Sequence, residues 1–249
     1  MNTVLLKCHE LTRRWGGLVA VDRVSLELQR GEVHAVIGTN GAGKSTLINM
    51  LSGELPPSGG TVELLGQDVT AWSQPQRARA GLGRSYQRNT IFPSFTVLEN
   101  CRLTAQARVQ KPWDLFSAAQ RCEASNAAAR AAAARAGLSD CLEHRADKLS
   151  HGQKRQLEIA MCLATDPQVL LLDEPLAGMG AEETERMLAL LAELRQGHAI
   201  LLVEHDMDAV FRVADRITVM VNGSVLATDT PEAVRASPAV QAAYLGEGH

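Results

Sequence analysis

The sequence predicts an α/β domain whose core is a parallel sheet, and three observations carry that expectation. Short β-branched or Leu-rich runs alternate with helix-forming stretches over most of the 249 residues. Two of these runs, VLLLD ending at Asp173 and AILLVEH ending at His205, are unbroken apolar segments up to their acidic or polar ends, as expected of central strands buried on both faces. A third, VHAVIG, leads straight into a glycine loop and a helix.

In chain order, strands are expected at residues 5–10 (LLKCHE), 24–28 (VSLEL), 33–37 (VHAVI), 61–64 (TVEL) and 82–86 (LGRSY), then at 169–172, 200–203, 217–221 and 224–227. Strand signals vanish between about Arg88 and Ser150. There the tract SAAQRCEASNAAARAAAARAGL is built from strong helix formers and stops at Gly137. Residues 88–150 are therefore expected to form an inserted helical subdomain, with residues 1–87 and 151–249 forming the rest of one globular unit. The Ala/Arg tract itself is expected to be a solvated surface helix. From Pro231 a short helix and a tail ending in AYLGEGH complete the chain.

Composition narrows the function classes. At 45% apolar residues the chain can bury a large core without disulfide or metal staples. A formal net charge of -3 gives no basic field for nucleic acid. The five cysteines, Cys8, Cys101, Cys122, Cys141 and Cys162, form no CxxC pair and read as reduced thiols. The start, MNTVLLKCHELTRRW, lacks the pattern of a signal peptide, and no run approaches the roughly 18 apolar residues of a membrane span. A cytosolic location is expected, with membrane association through a partner.

The most informative stretch is Gly38-Thr39-Asn40-Gly41-Ala42-Gly43-Lys44-Ser45-Thr46, which fits G-x-x-x-x-G-K-[ST] between a strand and a helix. Glycines let backbone N–H groups of Asn40, Gly41, Ala42 and Gly43 turn inward around an anion, and the helix N-terminus adds its dipole. Lys44 is expected to reach the β and γ phosphates of a nucleotide, and Ser45 to take a place on Mg²⁺.

Two acids, Asp173 and Glu174, end one buried strand, and Glu204-His205-Asp206 ends another. Ligands of open parallel sheets collect at the carboxyl ends of strands, so these groups are expected to converge on the phosphate loop. Neighbouring side chains of an extended segment point apart and need not share a task. Asp173 is assigned to the Mg²⁺ shell through water, Glu174 to polarising an attacking water, and His205 to hydrogen bonding with the γ-phosphate or that water. Taken alone, such acids also suit a solubilising strand end; the second polar terminus shifts the balance.

Together with Leu149-Ser150-His151-Gly152-Gln153 at the head of a helix, these pieces resemble the ATP-binding cassette (ABC) family across essentially the whole chain. The resemblance implies a P-loop NTPase fold: a parallel core sheet, an antiparallel β subdomain and an inserted helical subdomain. It also implies Mg-dependent hydrolysis of ATP to ADP and phosphate. In that family LSGGQ is the signature, and a partner cassette presents it to the γ-phosphate, which assigns Ser150, Gly152 and Gln153 to nucleotide binding. Gln87 corresponds to the glutamine that reaches Mg²⁺ and links core to helical subdomain, and Trp15 to the aromatic that stacks on adenine. This sequence departs from the family pattern at His151, which replaces a glycine, and at Gly180, where an aspartate is common.

The segments WGGLVAVDRVSLEL, SYQRNTIFPSFTVLEN, LSHGQKRQLEIA and AYLGE look most like cassettes of bacterial branched-chain amino acid and amide uptake systems. That likeness implies a second, different cassette, although a homodimer remains open, two membrane permeases, a periplasmic binding protein acting indirectly, and a place on the cytoplasmic face of the inner membrane. Lipopolysaccharide-export cassettes are the alternative. A soluble ABC ATPase acting on nucleic acid or ribosomes is less consistent with one P-loop, one signature and no heptad arm.

Overall fold

The computed structural model describes residues 3–86, 90–109 and 122–245. Its centre is a six-stranded sheet built from β3 (Val33–Gly38), β6 (Leu82–Arg84), β7 (Val169–Asp173), β8 (Ala199–Val203), β9 (Arg216–Val221) and β10 (Ser224–Asp229), in the order β10-β9-β3-β8-β7-β6. Five strands are parallel, and β10 returns antiparallel along β9. The Asn222-Gly223 turn makes that return possible, since both residues take positive φ (48° and 82°), as a two-residue hairpin of matching twist requires. A second, antiparallel sheet runs β2 (Leu18–Gln29), β1 (Val4–Trp15), β4 (Gly59–Leu64), β5 (Gln67–Asp68).

Alternation along the central strands produces two cores. In β7, Leu170 and Leu172 face a helical layer, while Val169 and Leu171 face the antiparallel sheet. All four are fully buried, which is why the strand reads as an uninterrupted apolar run. The side of Val169 and Leu171 is filled by Leu6, Leu11, Leu28 and Val62, and by α1 (Lys44–Ser52) through Leu47 and Leu51. The opposite side holds α3 (Val97–Val109), α4 (Glu123–Arg135), α5 (His151–Leu163) and α6 (Ala181–Leu194). Four short α-helices, α2 (Gln74–Arg79), α7 (Met207–Val213), α8 (Pro231–Ala236) and α9 (Pro238–Leu245), and 3₁₀ turns at Ser139–Cys141 and Ala146–Lys148 complete the described helices.

Three expectations need correction. The first two strands are twelve residues each and run to and from the Trp15–Leu18 turn. Bulged register and positive φ at Glu10 and Arg23 break the apolar alternation there, and the exposed tip has no core face to advertise itself. The pairing of Gln67 and Asp68 with β4 is too short to leave a periodic signal. The Ala-rich tract is not wholly solvated: Ser125, Ala129, Ala132 and Ala133 of α4 are buried while Arg130 and Arg135 stay exposed. Alanine on the inner face lets the helix backbones approach closely at i, i+3 and i+4 spacing.

All five cysteines are free thiols, with Cys8 and Cys101 buried. Burial pushes the thiols of Cys8, Cys101 and Cys162 up to about 12, which keeps them protonated and unreactive.

Candidate functional site

β3 ends at Gly38, whose absent side chain is a geometric requirement: a Cβ there would lie 2.2 Å from the Met220 carbonyl oxygen of β9. The loop that follows closes on Gly43, the N-cap of α1 at φ 97°, where a Cβ would meet the Ala20 carbonyl of β2 at 2.4 Å. Only glycine fits between the strand hairpin and the helix start. The first turn of α1 carries no acidic residue, so the positive end of the helix dipole is left for an external anion. Asn40, Gly41 and Ser45 are exposed at the loop mouth, Thr46 is half-buried, and Ala42 is buried with its carbonyl accepting from Gly223 N–H at 3.1 Å. Lys44 curls over the loop, its Nζ donating to the carbonyls of Gly38 at 2.6 Å and Thr39 at 2.9 Å.

Asp173 ends β7, buried, with Arg84 Nη2 3.9 Å from its Oδ2 and its amide donating to Ser85 Oγ at 3.3 Å. Burial pushes its carboxyl above the usual range; the Arg84 guanidinium opposes that rise, the Glu174 charge adds to it, and the Lys44 ammonium opposes it again. The Lys44 contribution means that ammonium and carboxylate share one field. With Ser45, exposed at the loop mouth, Asp173 offers hard oxygen donors of the kind that suit Mg²⁺.

Glu174 follows with φ at 49°, a strained value for a residue with a side chain. Its amide donates to the Val203 carbonyl at 2.9 Å, which holds the turn against the end of β8. His205 Nδ1 lies 3.9 Å from Glu174 Oε1 and 3.8 Å from Glu204 Oε2. Lys44, Asp173, Glu174 and His205 thus gather at the carboxyl ends of β3, β7 and β8, as the strand-end argument requires. Trp15 sits at the tip of the β1–β2 hairpin, 44% exposed, with the Arg13 guanidinium 4.8 Å from its ring centroid. One ring face is thereby engaged by a cation. Gln87 lies outside the described residues.

Ser150, Gly152 and Gln153 form a second cluster of donors at the N-terminus of α5. Ser150 and Gln153 close a capping box, in which Ser150 Oγ accepts from Gln153 N–H and Gln153 Oε1 accepts from Ser150 N–H. The Ser150 hydroxyl and the Gly152 amide both donate, at 3.0 Å each, to Oε1 of Glu183 on α6. Gly152 and then Ser150 hold the Glu183 carboxyl below the usual range. His151, the departure from LSGGQ, donates from Nε2 to the Ala177 carbonyl at 2.9 Å. Gly178 leaves room for that ring, because a Cβ there would sit 3.1 Å from Nε2. Gly180 caps α6 through extended backbone, without a side-chain bond.

Sequence reasoning missed Glu183 and gave Glu204, named at its strand end, no task of its own. Nothing in the sequence reveals that Glu183 reaches back across 31 to 33 residues to the head of α5. What the sequence leaves unread at Glu204 is its full burial, an uncommon setting for an acid at the end of a strand.

Known proteins resemble this chain over nearly its whole length. A family model described as ABC transporter matches residues 21–177, and one described as branched-chain amino acid ATP-binding cassette transporter matches residues 224–249. The chain is 43% identical to the high-affinity branched-chain amino acid transport ATP-binding protein LivG of Salmonella typhimurium, over 99% of this chain and 100% of LivG. It is 37% identical to BraF of Pseudomonas aeruginosa, a protein of the same description, with the same coverage. Among solved structures, the ADP conformation of MJ1267, an ATP-binding cassette of an ABC transporter, superposes with a TM-score of 0.89 at 30% identity, covering 98% of this chain and 100% of that one.

Proposed function

Because the chain belongs to the ABC transporter family, in the branch of branched-chain amino acid ATP-binding cassettes, we propose that it is the ATP-hydrolysing subunit driving a bacterial importer of branched-chain amino acids. The observation that carries this function is the likeness to LivG and BraF from end to end, together with the match over residues 224–249. That combination favours uptake over the lipopolysaccharide-export alternative. No helix among the described residues is long and apolar enough to cross a membrane. On the likeness to transport ATP-binding proteins, permease partners carry the cargo and a second cassette completes the engine.

In this reading the backbone amides of residues 40–43 and the start of α1 bind the phosphates, and Lys44 leaves its loop carbonyls for the β and γ oxygens. Asp173 and Ser45, with Gln87, would hold an Mg²⁺ ion, which would supply neutralisation of phosphate charge. Glu174 takes up the proton side of the attacking water and so orients it in line with the γ-phosphorus, while His205 donates to a γ-oxygen and responds to its presence. Trp15 stacks on adenine with the ring face that Arg13 leaves open.

Ser150, Gly152 and Gln153 serve the nucleotide of the other cassette. What supports this is Glu183: an anionic oxygen already takes the two donors that a γ-phosphate oxygen would take. Closure of two cassettes exchanges that internal anion for the phosphate, and phosphate release reverses the exchange. The inserted helices transmit the motion to a permease.

The test is to tag the chain in its native cell, extract membranes gently and identify what co-purifies. Two permeases and a different cassette are expected, and loss of radiolabelled leucine uptake on deletion. Export proteins with a homodimer, or soluble partners alone, would overturn the assignment.

A further inference from the structure

Glu204 carries no task in the mechanism above, yet it occupies a costly position. Its side chain is fully buried at the end of β8, and burial raises its carboxyl above the usual range. Removing a carboxylate from water is unfavourable by several kcal/mol unless its oxygens find strong donors. Here each oxygen finds one, on two different loops. Oε1 accepts from the Leu176 amide at 2.8 Å, two residues beyond Glu174, and Oε2 accepts from the His205 amide at 3.2 Å. The backbone of Glu204 reaches towards β3 as well, its amide 3.4 Å from the Val36 carbonyl, two residues before the phosphate loop. A neutral acceptor of similar length has one oxygen to give; only a carboxylate offers two to amides that approach from separate turns.

We infer that Glu204 is a positioning residue for ATP hydrolysis: it fastens the turn that carries Glu174 to the turn that carries His205. The two side chains stand 3.9 Å apart in this arrangement. A tether through the main chain of both turns fixes that separation in a way that the half-buried Glu174 and the exposed His205 side chains could not enforce by themselves. The inference rests on the assignment of Glu174 and His205 to the γ-phosphate site, and the experiment separates the two.

The experiment measures MgATP turnover, KM and ADP affinity of the full chain as Glu204→Gln, Glu204→Asp, His205→Ala and the Glu204→Gln/His205→Ala pair. Glutamine keeps the size and turns an amide group towards one of the two donors. Aspartate keeps both oxygens and the charge but is one methylene short. Both are expected to lower kcat by about ten- to a hundredfold, as misplacement of a reacting group does, with KM and ADP affinity within about twofold of the parent. Adding His205→Ala to Glu204→Gln is expected to lower kcat little further, because the histidine has already lost its setting.

Full activity of Glu204→Asp would replace positioning by a charge effect and overturn the inference. So would unchanged kcat in Glu204→Gln, a joint fall of turnover and ADP affinity, or losses that multiply in the double variant. Should Glu204→Gln not fold, hydrogen exchange on the parent still decides: the Leu176 and His205 amides are expected to exchange slowly and together, and fast exchange at either would overturn the tether. If His205→Ala alone leaves turnover intact, the site assignment has failed, and that result is separate from any result at Glu204.

Discussion

At the scale of single residues, the proposed mechanism separates groups that hold phosphate from groups that act on water. Lys44 has two carbonyl acceptors at rest and needs only to exchange them for phosphate oxygens, so little rearrangement precedes binding. Lys44→Ala is expected to lose ATP affinity and turnover together. Glu174→Gln keeps the side-chain shape and its strained φ, and is expected to bind ATP normally, accumulate a closed dimer and hydrolyse at less than about one hundredth of the parent rate. Equilibrium binding and size-exclusion chromatography with ATP check both, and parental turnover in Glu174→Gln would sink its assignment. The assignments of Lys44, Asp173, Glu174 and His205 could be made from the sequence because each residue abuts an apolar strand or a glycine loop whose direction is itself readable. Glu183 was hidden, since its partners are set by how α6 lies against the head of α5 and no local pattern encodes that angle.

Among the elements, legibility followed burial. The central strands announce themselves because both faces are covered, so no polar residue interrupts β7 or β8. The β1–β2 hairpin hides its outer half because Arg14 and Trp15 stand in solvent, where alternation has no core to match. The Ala-rich helix misleads for a different reason: alanine is neutral to solvent and to close packing alike, so composition cannot say which face is buried. Its buried face makes a distinct expectation. Ala133→Leu forces extra methylenes between α4 and its neighbours and is expected to destabilise the fold by about 1–3 kcal/mol. Arg130→Ala on the exposed face is expected to change stability by less than about 0.5 kcal/mol. Urea unfolding midpoints of the two variants, compared at equal slope, check the difference.

For the molecule as a whole, one buried histidine ties stability to pH. His34 of β3 is fully buried, with Nε2 2.8 Å from Thr218 Oγ1 and Nδ1 3.2 Å from the Glu27 carbonyl. Burial lowers its pKa from 6.5 to about 4, the Glu27 carbonyl opposing and the Arg216 charge adding to that fall. The unfolded chain therefore takes up a proton at a pH where the folded chain does not. This stabilisation is complete above about pH 6.5 and is lost as pH falls towards 4, amounting to roughly 3 kcal/mol across the window. Buried carboxyls at Glu32, Glu158 and Glu204 are raised and act in the opposite sense, so the contribution is read as a difference. Stability of the parent is expected to fall more steeply than that of His34→Gln between pH 6.5 and 4, and parallel curves would refute the account.

The bond from Glu183 to the head of α5 has a further meaning at this scale. On the proposed assignment, that surface has to recognise one oxygen of one nucleotide, on one other molecule, among every inorganic phosphate, sulfate and metabolite anion of a crowded cell. By keeping a carboxylate of its own in that seat, the chain makes itself a poor trap for small anions. On that reading the occupant yields to a nucleotide that arrives with a second protein surface, and selectivity for the assembled state is already built into the solitary one.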